Sequence, residues 1–212
     1  MHFVGVLSLL GSIALFSPLL SATKATVSNV PLDPETKREV QCDLPRSQHL
    51  RNLPDGGGCC VFASIDMMSR WHNFHPMIGV LQDRLGGGWP QLVTKTFQRR
   101  APGFTGYVQA EGSQTEQVID WAMRTNRIVC VTYGYGERYQ GSFNPSGQIS
   151  HMVIFLHMDP ENTPNARACV LDNNFPGTYE WMPRAEALRR HRLKGAWAIA
   201  LLLPPPPPIP TN

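Results

Sequence analysis

Two adjacent cysteines, Cys59 and Cys60, follow a run of three glycines and precede a segment with helical spacing. A thiol attacks a carbonyl carbon only as the thiolate, so a nucleophilic cysteine needs a neighbouring group that lowers its pKa. The unpaired N–H groups at the amino end of a helix lower it, and an imidazolium lowers it further. Either sulfur is therefore a candidate nucleophile, and the sequence leaves open that both are small apolar core residues.

A histidine and an aspartate later in the chain are residue types that can act beside a nucleophilic thiol. His151 opens the apolar run HMVIFLHMD, and Asp172 ends the apolar part of ACVLDNN. An imidazole beside a thiol takes up the thiol proton, and a carboxylate behind the imidazole holds it in the required tautomer. His157 faces the same side of the strand as His151 by period-two counting, so it is a second candidate for the base.

The elements that must position these residues follow from apolar spacing and from start signals. Apolar residues after the cysteines recur every three to four positions and predict a helix over Val61–Trp71. A proline suited to a first helical turn predicts a second helix over Pro90–Arg100. The capping-box pattern of Ser113–Glu116 predicts the start of a third helix, and a short fourth helix is expected over Pro183–His191.

Short runs rich in β-branched and aromatic residues predict strands, and most of them follow the helices. Helices followed by an antiparallel sheet describe an α+β domain. Tyr133, Tyr135 and Tyr139, interleaved with glycine, could line a substrate cleft or stack on a sugar, and we favour a mobile loop beside the active site. The strand candidates are GYVQA, IVCVTYGYG, HMVIFLHMD, ACVLDNN and AWAIALLL.

The order of cysteine at a helix start, histidine opening a strand and carboxylate ending the next strand resembles papain-like cysteine peptidases. The resemblance is closest to the bacteriocin-processing type, which acts on double-glycine leaders. With Cys60 as nucleophile, the small residues and methionine of VFASIDMM fall in the positions of that pattern. With Cys59 instead, Phe62 matches the papain motif better, so Cys59 is the alternative nucleophile. The chain ending WMPRAEALRR and GAWAIALLL is also similar to the end of the family domain.

The resemblance implies a papain-like fold, with N-terminal helices packed on a C-terminal antiparallel sheet. It also implies that Cys60 is the nucleophile, His151 the general base and Asp172 the residue that orients the imidazole. The family pattern continues with proline after the carboxylate, whereas Asn173 and Asn174 follow here, so an amide could share the orienting role.

The family also has a glutamine about six residues before the nucleophile, which donates to the oxyanion. Pro54 stands at that place in this chain and has no donor. Asn52 and Gln48 lie close enough upstream for a loop of different length to supply the amide, and we favour Asn52. Such a donor contributes about 3 kcal/mol to the transition state in comparable sites.

The expected function is that of a cysteine hydrolase, most simply a peptidase acting on a peptide or protein substrate. The same triad serves amidases and acyl transferases, and an inactive peptide-binding domain of the same fold is a further alternative. No metal or organic cofactor is implied, because adjacent cysteines have the wrong spacing for a tetrahedral zinc ion.

Composition narrows the class of protein. A chain of 212 residues accommodates one domain with a sizeable core. Its formal charge of +3 is spread along the sequence, which disfavours nucleic acid as a partner. The five cysteines form no repeated spacing, so we expect no disulfide framework.

Four regions are expected along the chain. Residues 1–25 are an apolar signal peptide or membrane anchor, which predicts export to a secreted, periplasmic or membrane-anchored location. Residues 26–45 are expected to form a polar linker or surface arm, and residues 46–203 the papain-like domain. Residues 204–212 are a proline-rich tail that cannot continue a helix or strand.

Overall fold

The computed structural model describes residues 24–53, 59–142 and 144–207. Within these residues, helices pack against a single seven-stranded sheet. The α-helices are α1 Cys59–Trp71, α2 Pro90–Arg100, α3 Thr115–Arg124 and α4 Arg184–Arg192. The strands are β1 Thr26–Ser28, β2 Tyr107–Glu111, β3 Val129–Tyr135, β4 Gln148–Met158, β5 Arg167–Leu171, β6 Tyr179–Pro183 and β7 Trp197–Leu201.

The sheet has the order β1-β6-β5-β4-β3-β7-β2, and every neighbouring pair of strands is antiparallel. The predicted combination of helices with an antiparallel sheet is confirmed. β4 is the longest strand and lies at the centre, between β3 and β5. Tyr133 lies opposite His151 in one pair, and Ile154 lies opposite Leu171 in the other. The histidine strand and the strand that leads to Asp172 are therefore direct neighbours.

Helix α1 packs on β4 and β3 and is buried over most of its length. Its small and apolar residues surround the helix on all sides, as expected for a helix inside a core rather than on a surface. The one carboxylate within it, Asp66, accepts from Arg70 Nε at 2.8 Å and from the backbone N–H of Leu81 at 3.3 Å. The predicted helix is confirmed, and it includes both adjacent cysteines.

The other predicted helices are also found, with one wrong detail. α2 has the expected bounds, and α4 lies between the last strands as expected. The Ser113–Glu116 capping box does not form: α3 begins at Thr115, and no side chain caps it. A 3-10 turn over Gly112–Gln114 precedes the helix, and the Thr115 hydroxyl donates to the carbonyl of Gly112 at 2.8 Å. Because the chain already turns before the helix, Ser113 is not at the N-cap position.

Residues 26–45 are part of the domain, so the expected surface arm is wrong. β1 pairs with β6 at the edge of the sheet. Further along, the side chains of Cys42 and Leu44 are fully buried, and the carboxylate of Asp33 accepts from Arg167 Nε at 2.9 Å. The contacts that join this segment to the sheet, such as those of β1 with β6 and of Asp33 with Arg167, are made with residues more than 100 positions away, so local sequence spacing does not reveal them.

Strand β6 was not predicted from the sequence. It contains the buried carboxylate of Glu180 and ends at Pro183, and both residue types are depleted in strands. The strand is stable here because it lies between β1 and β5. Glu180 is paired with the buried guanidinium of Arg190.

The two ends of the chain are described only in part. Most of the expected signal peptide or anchor, residues 1–23, lies outside the described residues, as do residues 208–212 of the expected tail. After β7 the chain leaves the sheet. The carbonyl oxygen of Leu203 accepts a hydrogen bond from Arg127 Nε, and the carbonyl oxygen of Pro204 is hydrogen-bonded to His72 Nδ1. Among the described helices, none has the length and apolar character needed to cross a membrane.

Candidate active site

Cys60 is the second residue of α1 and is 8% exposed. Burial by itself favours the neutral thiol and raises its pKa. The hydrogen bond from His151 and the charge of that imidazolium outweigh burial, so the pKa of Cys60 lies below its ordinary value of 9.0. The backbone N–H groups of Met152 and Val61 act in the same direction. The thiolate is therefore the form that the site stabilises.

His151 lies in the central strand β4 and contacts both other members of the predicted triad. Its Nε2 lies 2.8 Å from Oδ1 of Asp172. Burial lowers the pKa of this histidine, but the hydrogen bonds to Asp172 and Cys60 and their charges raise it to about 9. At neutral pH the imidazole is therefore protonated, and its charge favours the thiolate form of Cys60 over the thiol.

Asp172 directly follows β5 and is 2% exposed. Its carboxylate accepts from three donors: His151, the Tyr139 hydroxyl at 2.6 Å, and the backbone N–H of Asn174 at 2.8 Å. Burial raises the pKa of Asp172, and these hydrogen bonds together with the imidazolium charge lower it below 3.8. The carboxylate is held as an anion with one oxygen directed at His151 and the other at Tyr139.

Tyr139 is a member of the site that the sequence did not assign to Asp172. It ends the 3-10 helix Glu137–Tyr139, which follows β3. Burial, and then the charge of Asp172, raise the pKa of Tyr139, so its hydroxyl remains protonated and donates. The same hydroxyl accepts from Asn174 Nδ2 at 3.0 Å. Tyrosines between glycines indicated a cleft, but nothing in the spacing related Tyr139 to a carboxylate 33 residues later.

A fully buried arginine supports the 3-10 helix that carries Tyr139. Arg190 of α4 donates through Nη2 to both carboxylate oxygens of Glu137, each at 2.6 Å. It also donates through Nη1 to the Tyr133 hydroxyl at 2.9 Å and through Nε to Glu186 at 2.7 Å. Hydrogen bonds between ionised groups of this kind are short and strong. Arg190 thereby holds Glu137, and with it the start of the segment that ends at Tyr139.

Asn173 joins the helix of the thiol to the strand of the imidazole. Its side chain is fully buried, and Nδ2 lies 3.2 Å from the carbonyl oxygen of Cys60, 3.0 Å from Ser64 Oγ and 2.8 Å from the carbonyl oxygen of Met152. An amide sharing the orienting role of Asp172 was one expectation. Asn173 instead lies between α1 and β4, and its hydrogen bonds to both elements fix the distance between them.

Cys59 and His157, the alternative nucleophile and base, lie elsewhere. Cys59 packs with Ala63 and Leu81 in a small apolar cluster separate from the main core. Nε2 of His157 lies 3.1 Å from Asp159 Oδ1, and its ring lies 5.3 Å from that of Trp181. A register shift between Phe155 and His157 in the pairing of β4 with β5 interrupts the period of two on which the prediction for His157 depended.

Asn52 lies against the segment that follows Asp172. Its backbone N–H donates to the carbonyl of Asn173 at 2.8 Å, and Nη1 of Arg51 donates to the carbonyl of Asn174 at 3.1 Å. The side-chain oxygen of Asn52 is buried and has no hydrogen-bond partner among the described residues. Gln48 lies in the preceding 3-10 turn, and its side-chain oxygen is also buried without a hydrogen-bond partner among the described residues. Pro54 falls in residues 54–58, outside the described part of the chain.

A polar cleft of about 550 Å³ opens beside His151. Most of its wall comes from the loop between β3 and β4 and from the start of β4. We call it the His151 cleft. It is lined by Tyr139, Asn144, Ser146, Gln148, Ile149, Ser150, His151, Asn174 and Lys194.

The other cysteines are structural, as expected for Cys130 and Cys169. Both are fully buried in β3 and β5, and burial raises the pKa of each thiol well above 9.0. No disulfide joins cysteines in the described part of the chain, which contains all five. The described residues also contain no cluster of histidine, cysteine and acidic side chains arranged to hold a metal ion.

Comparison with models of protein families and with curated proteins finds no match to this chain.

Proposed function

We propose that this protein is a cysteine hydrolase with a papain-like fold, and that it cleaves peptide bonds. The observation that carries the proposal is the contact of the Cys60 thiol with His151, whose far nitrogen lies 2.8 Å from the Asp172 carboxylate. A buried thiol with a lowered pKa beside an oriented imidazolium is the arrangement that cysteine nucleophiles require. The packing of α1 against an antiparallel sheet that carries the other two residues supports the papain-like fold.

The reaction follows from the protonation states of the pair. The Cys60 thiolate attacks the carbonyl carbon of the substrate, forming a carbon–sulfur bond and an oxyanion. His151 then donates its proton to the nitrogen of the leaving amine, and the carbon–nitrogen bond breaks. Water, deprotonated by His151, attacks the resulting thioester and releases the acid and the thiolate. Asp172 keeps the imidazole in the orientation that serves both steps.

In this mechanism the oxyanion is held by the backbone N–H of Cys60 and by the side chain of Asn52. Asn52 is preferred to Gln48 because its backbone is bonded to Asn173, directly beside the residue that orients His151. The side-chain nitrogen Nδ2 of Asn52 is the donor that would bind the oxyanion, since an amide oxygen can only accept.

The same three residues serve amidases and acyl transferases. All three classes form a thioester, but amidases cleave a different kind of amide bond, and acyl transferases pass the acyl group to an acceptor other than water. The His151 cleft supports the peptidase among these. Hydroxyl and amide side chains provide most of its polar wall, and these groups donate to and accept from peptide bonds.

A second candidate is a peptide-binding domain of the same fold that does not cleave. Pro54, at the place where a glutamine would donate to the oxyanion, favours this candidate. Such a domain needs the cleft and the fold but not an ionised thiol.

Alkylation by iodoacetamide at about pH 6 separates the two candidates. At this pH a free cysteine is almost entirely protonated, so fast labelling requires an imidazolium-paired thiolate. The proposal expects Cys60, identified by mass spectrometry of the digested protein, to react at least about tenfold faster than free cysteine. Cys59→Ala is the matched control and should keep this rate, whereas His151→Ala should lose it.

Cleavage of a peptide library completes the test. Products that appear with the wild-type protein and disappear in Cys60→Ala support the hydrolase. Labelling of Cys60 no faster than free cysteine, with no products from the library, would leave the peptide-binding domain as the function.

A further inference from the structure

The His151 cleft borders the imidazole that protonates the leaving amine in the proposed mechanism. His151 lines the cleft, whereas Cys60 is not among the described residues of its wall. In acyl transfer to a thiolate, the acyl part of the substrate stays on the sulfur, and the amine departs past the ring that protonates it. The cleft is therefore placed to receive the leaving-group part of a substrate.

The described wall of the cleft contains two cationic residues and no acidic residue. The charge of the His151 imidazolium is balanced by Asp172, so the cation that faces a ligand is Lys194, which is exposed just after α4. Two acidic groups on the neighbouring segments are already paired: Asp172 with His151 and Tyr139, and Glu137 with Arg190. The remaining polar lining is neutral and consists of hydroxyl and amide groups.

We propose that the His151 cleft binds the leaving-group part of the substrate, and that Lys194 selects leaving groups that carry a carboxylate. The carboxylate is either an acidic side chain within the first residues after the cleaved bond or the C-terminus of a short leaving peptide. This inference rests on the proposed hydrolase function, since it takes its direction from the proton that His151 donates. The neutral side chains of the cleft bind the peptide backbone, and Lys194 supplies the charge preference.

Binding of product-like tripeptides tests the inference without requiring turnover. The probes are Ala-Ala-Gln with an amidated C-terminus, Ala-Ala-Gln with a free C-terminus, and Ala-Ala-Glu with an amidated C-terminus. The affinities are measured by calorimetry on the full-length Cys60→Ser protein. At least one peptide with a carboxylate should bind about fivefold more tightly than the fully amidated peptide, as expected for one partly exposed ion pair. Comparison of the second and third probes identifies the source of the carboxylate.

Lys194→Met should remove this difference, and Lys194→Glu should reverse it. Lys95→Met is the matched control, because Lys95 is an exposed lysine of α2 that does not line the cleft. Raising the salt concentration should reduce the preference in the parent protein and have no effect on it in Lys194→Met.

Equal affinity for all three peptides, or no binding by any of them, overturns the inference. So does a preference that survives in Lys194→Met. These results are distinguishable from failure of the hydrolase proposal, which depends on fast labelling of Cys60 and on cleavage. If the protein prefers carboxylate peptides but its Cys60 reacts like free cysteine, the cleft is a binding site and the hydrolase proposal is wrong.

Discussion

At the scale of single residues, the charge states of the candidate site depend on a few buried contacts. Cys60, His151 and Asp172 are each less than one tenth exposed, so water contributes little to stabilising their ions. Each ion is stabilised instead by its neighbour, and each pKa is displaced in the direction that keeps the charges. Removing one member should therefore change the protonation of the others.

Asp172→Asn should lower the pKa of His151 from about 9 to near or below its ordinary value of 6.5. The carboxylate is the main group that raises this pKa, and burial, which lowers it, would then act with less opposition. The imidazole becomes neutral near pH 7, and the Cys60 thiol regains its proton. An NMR titration of the His151 ring protons measures the shift; a pKa that stays at about 9 would show that Asp172 does not control the imidazole.

Tyr139→Phe should shift the same pKa in the opposite direction. The tyrosine hydroxyl shares the negative charge of Asp172, so its removal makes the carboxylate more basic and strengthens its hold on the imidazolium proton. The pKa of His151 is expected to rise above about 9, while kcat falls about tenfold because one carboxylate oxygen loses its donor.

Arg138→Ala is the control for Tyr139→Phe, since it alters the same 3-10 helix without touching Asp172. If Tyr139 only fills space, both variants will leave the titration of His151 unchanged. A fall of the His151 pKa in Tyr139→Phe would also contradict a positioning role.

At the scale of elements, the N-terminal segment stabilises the sheet that carries the site. β1 extends the edge next to β6, and Asp33 forms an ion pair with Arg167 at the start of β5. Both side chains are almost fully buried, and Asp33 also accepts from the hydroxyl of Thr36 at 2.7 Å. β5 leads directly to Asp172, so this segment contributes indirectly to the position of the candidate triad.

Asp33→Ala should lower the free energy of unfolding by about 3 kcal/mol, because it leaves the buried guanidinium of Arg167 with only the more exposed Glu35 as a carboxylate partner. Urea denaturation measures the change. Asp83→Ala is the matched control: its ion pairs with Arg99 and Arg100 are more exposed, and their loss should cost no more than about 1 kcal/mol.

The effect of Asp33→Ala should also depend on pH. Burial raises the pKa of Asp33, but its hydrogen bonds and Arg167 together lower it below 3.8. The stabilisation is therefore complete above pH 3.8 and is lost as the pH falls through the folded-state pKa. A cost that is small at neutral pH, or that grows as the solution is acidified, would contradict this account.

At the scale of the whole molecule, the candidate site exists only in the assembled fold. Its three residues come from the start of α1, the centre of the sheet and the end of β5, and Asn173 joins these parts. No single segment contains two of the three. Formation of the thiolate pair should therefore accompany folding of the domain as one cooperative unit.

Fast alkylation of Cys60 should consequently disappear over the same range of urea concentration in which the domain unfolds. The buried Cys130 and Cys169 should become reactive over that same range, since burial alone protects them. Labelling at each urea concentration, followed by mass spectrometry, measures the loss of Cys60 reactivity and the gain of Cys130 and Cys169 reactivity. Tryptophan fluorescence of the same samples measures the unfolding transition. Loss of the fast reaction well before that transition would show that the site opens as a separate local unit.

The sequence by itself determined the elements whose signals are local. The spacing of apolar residues after Cys59 predicted α1, Pro90 marked the start of α2, and apolar runs predicted the central strands. The triad residues were predicted through the resemblance to papain-like peptidases, which depends on residue types and on their places at element starts and ends. These features depend on near neighbours, so they can be read without the fold.

Only the tertiary structure decided which of the adjacent cysteines meets the imidazole, because one residue along a helix rotates a side chain by about 100°. It also decided that Tyr139 and Asn173 support the candidate site, and that residues 26–45 belong to the domain. Each of these results depends on contacts between residues far apart in the chain. Such contacts are set by the pairing of strands and the packing of helices, and they leave no periodic pattern in the sequence.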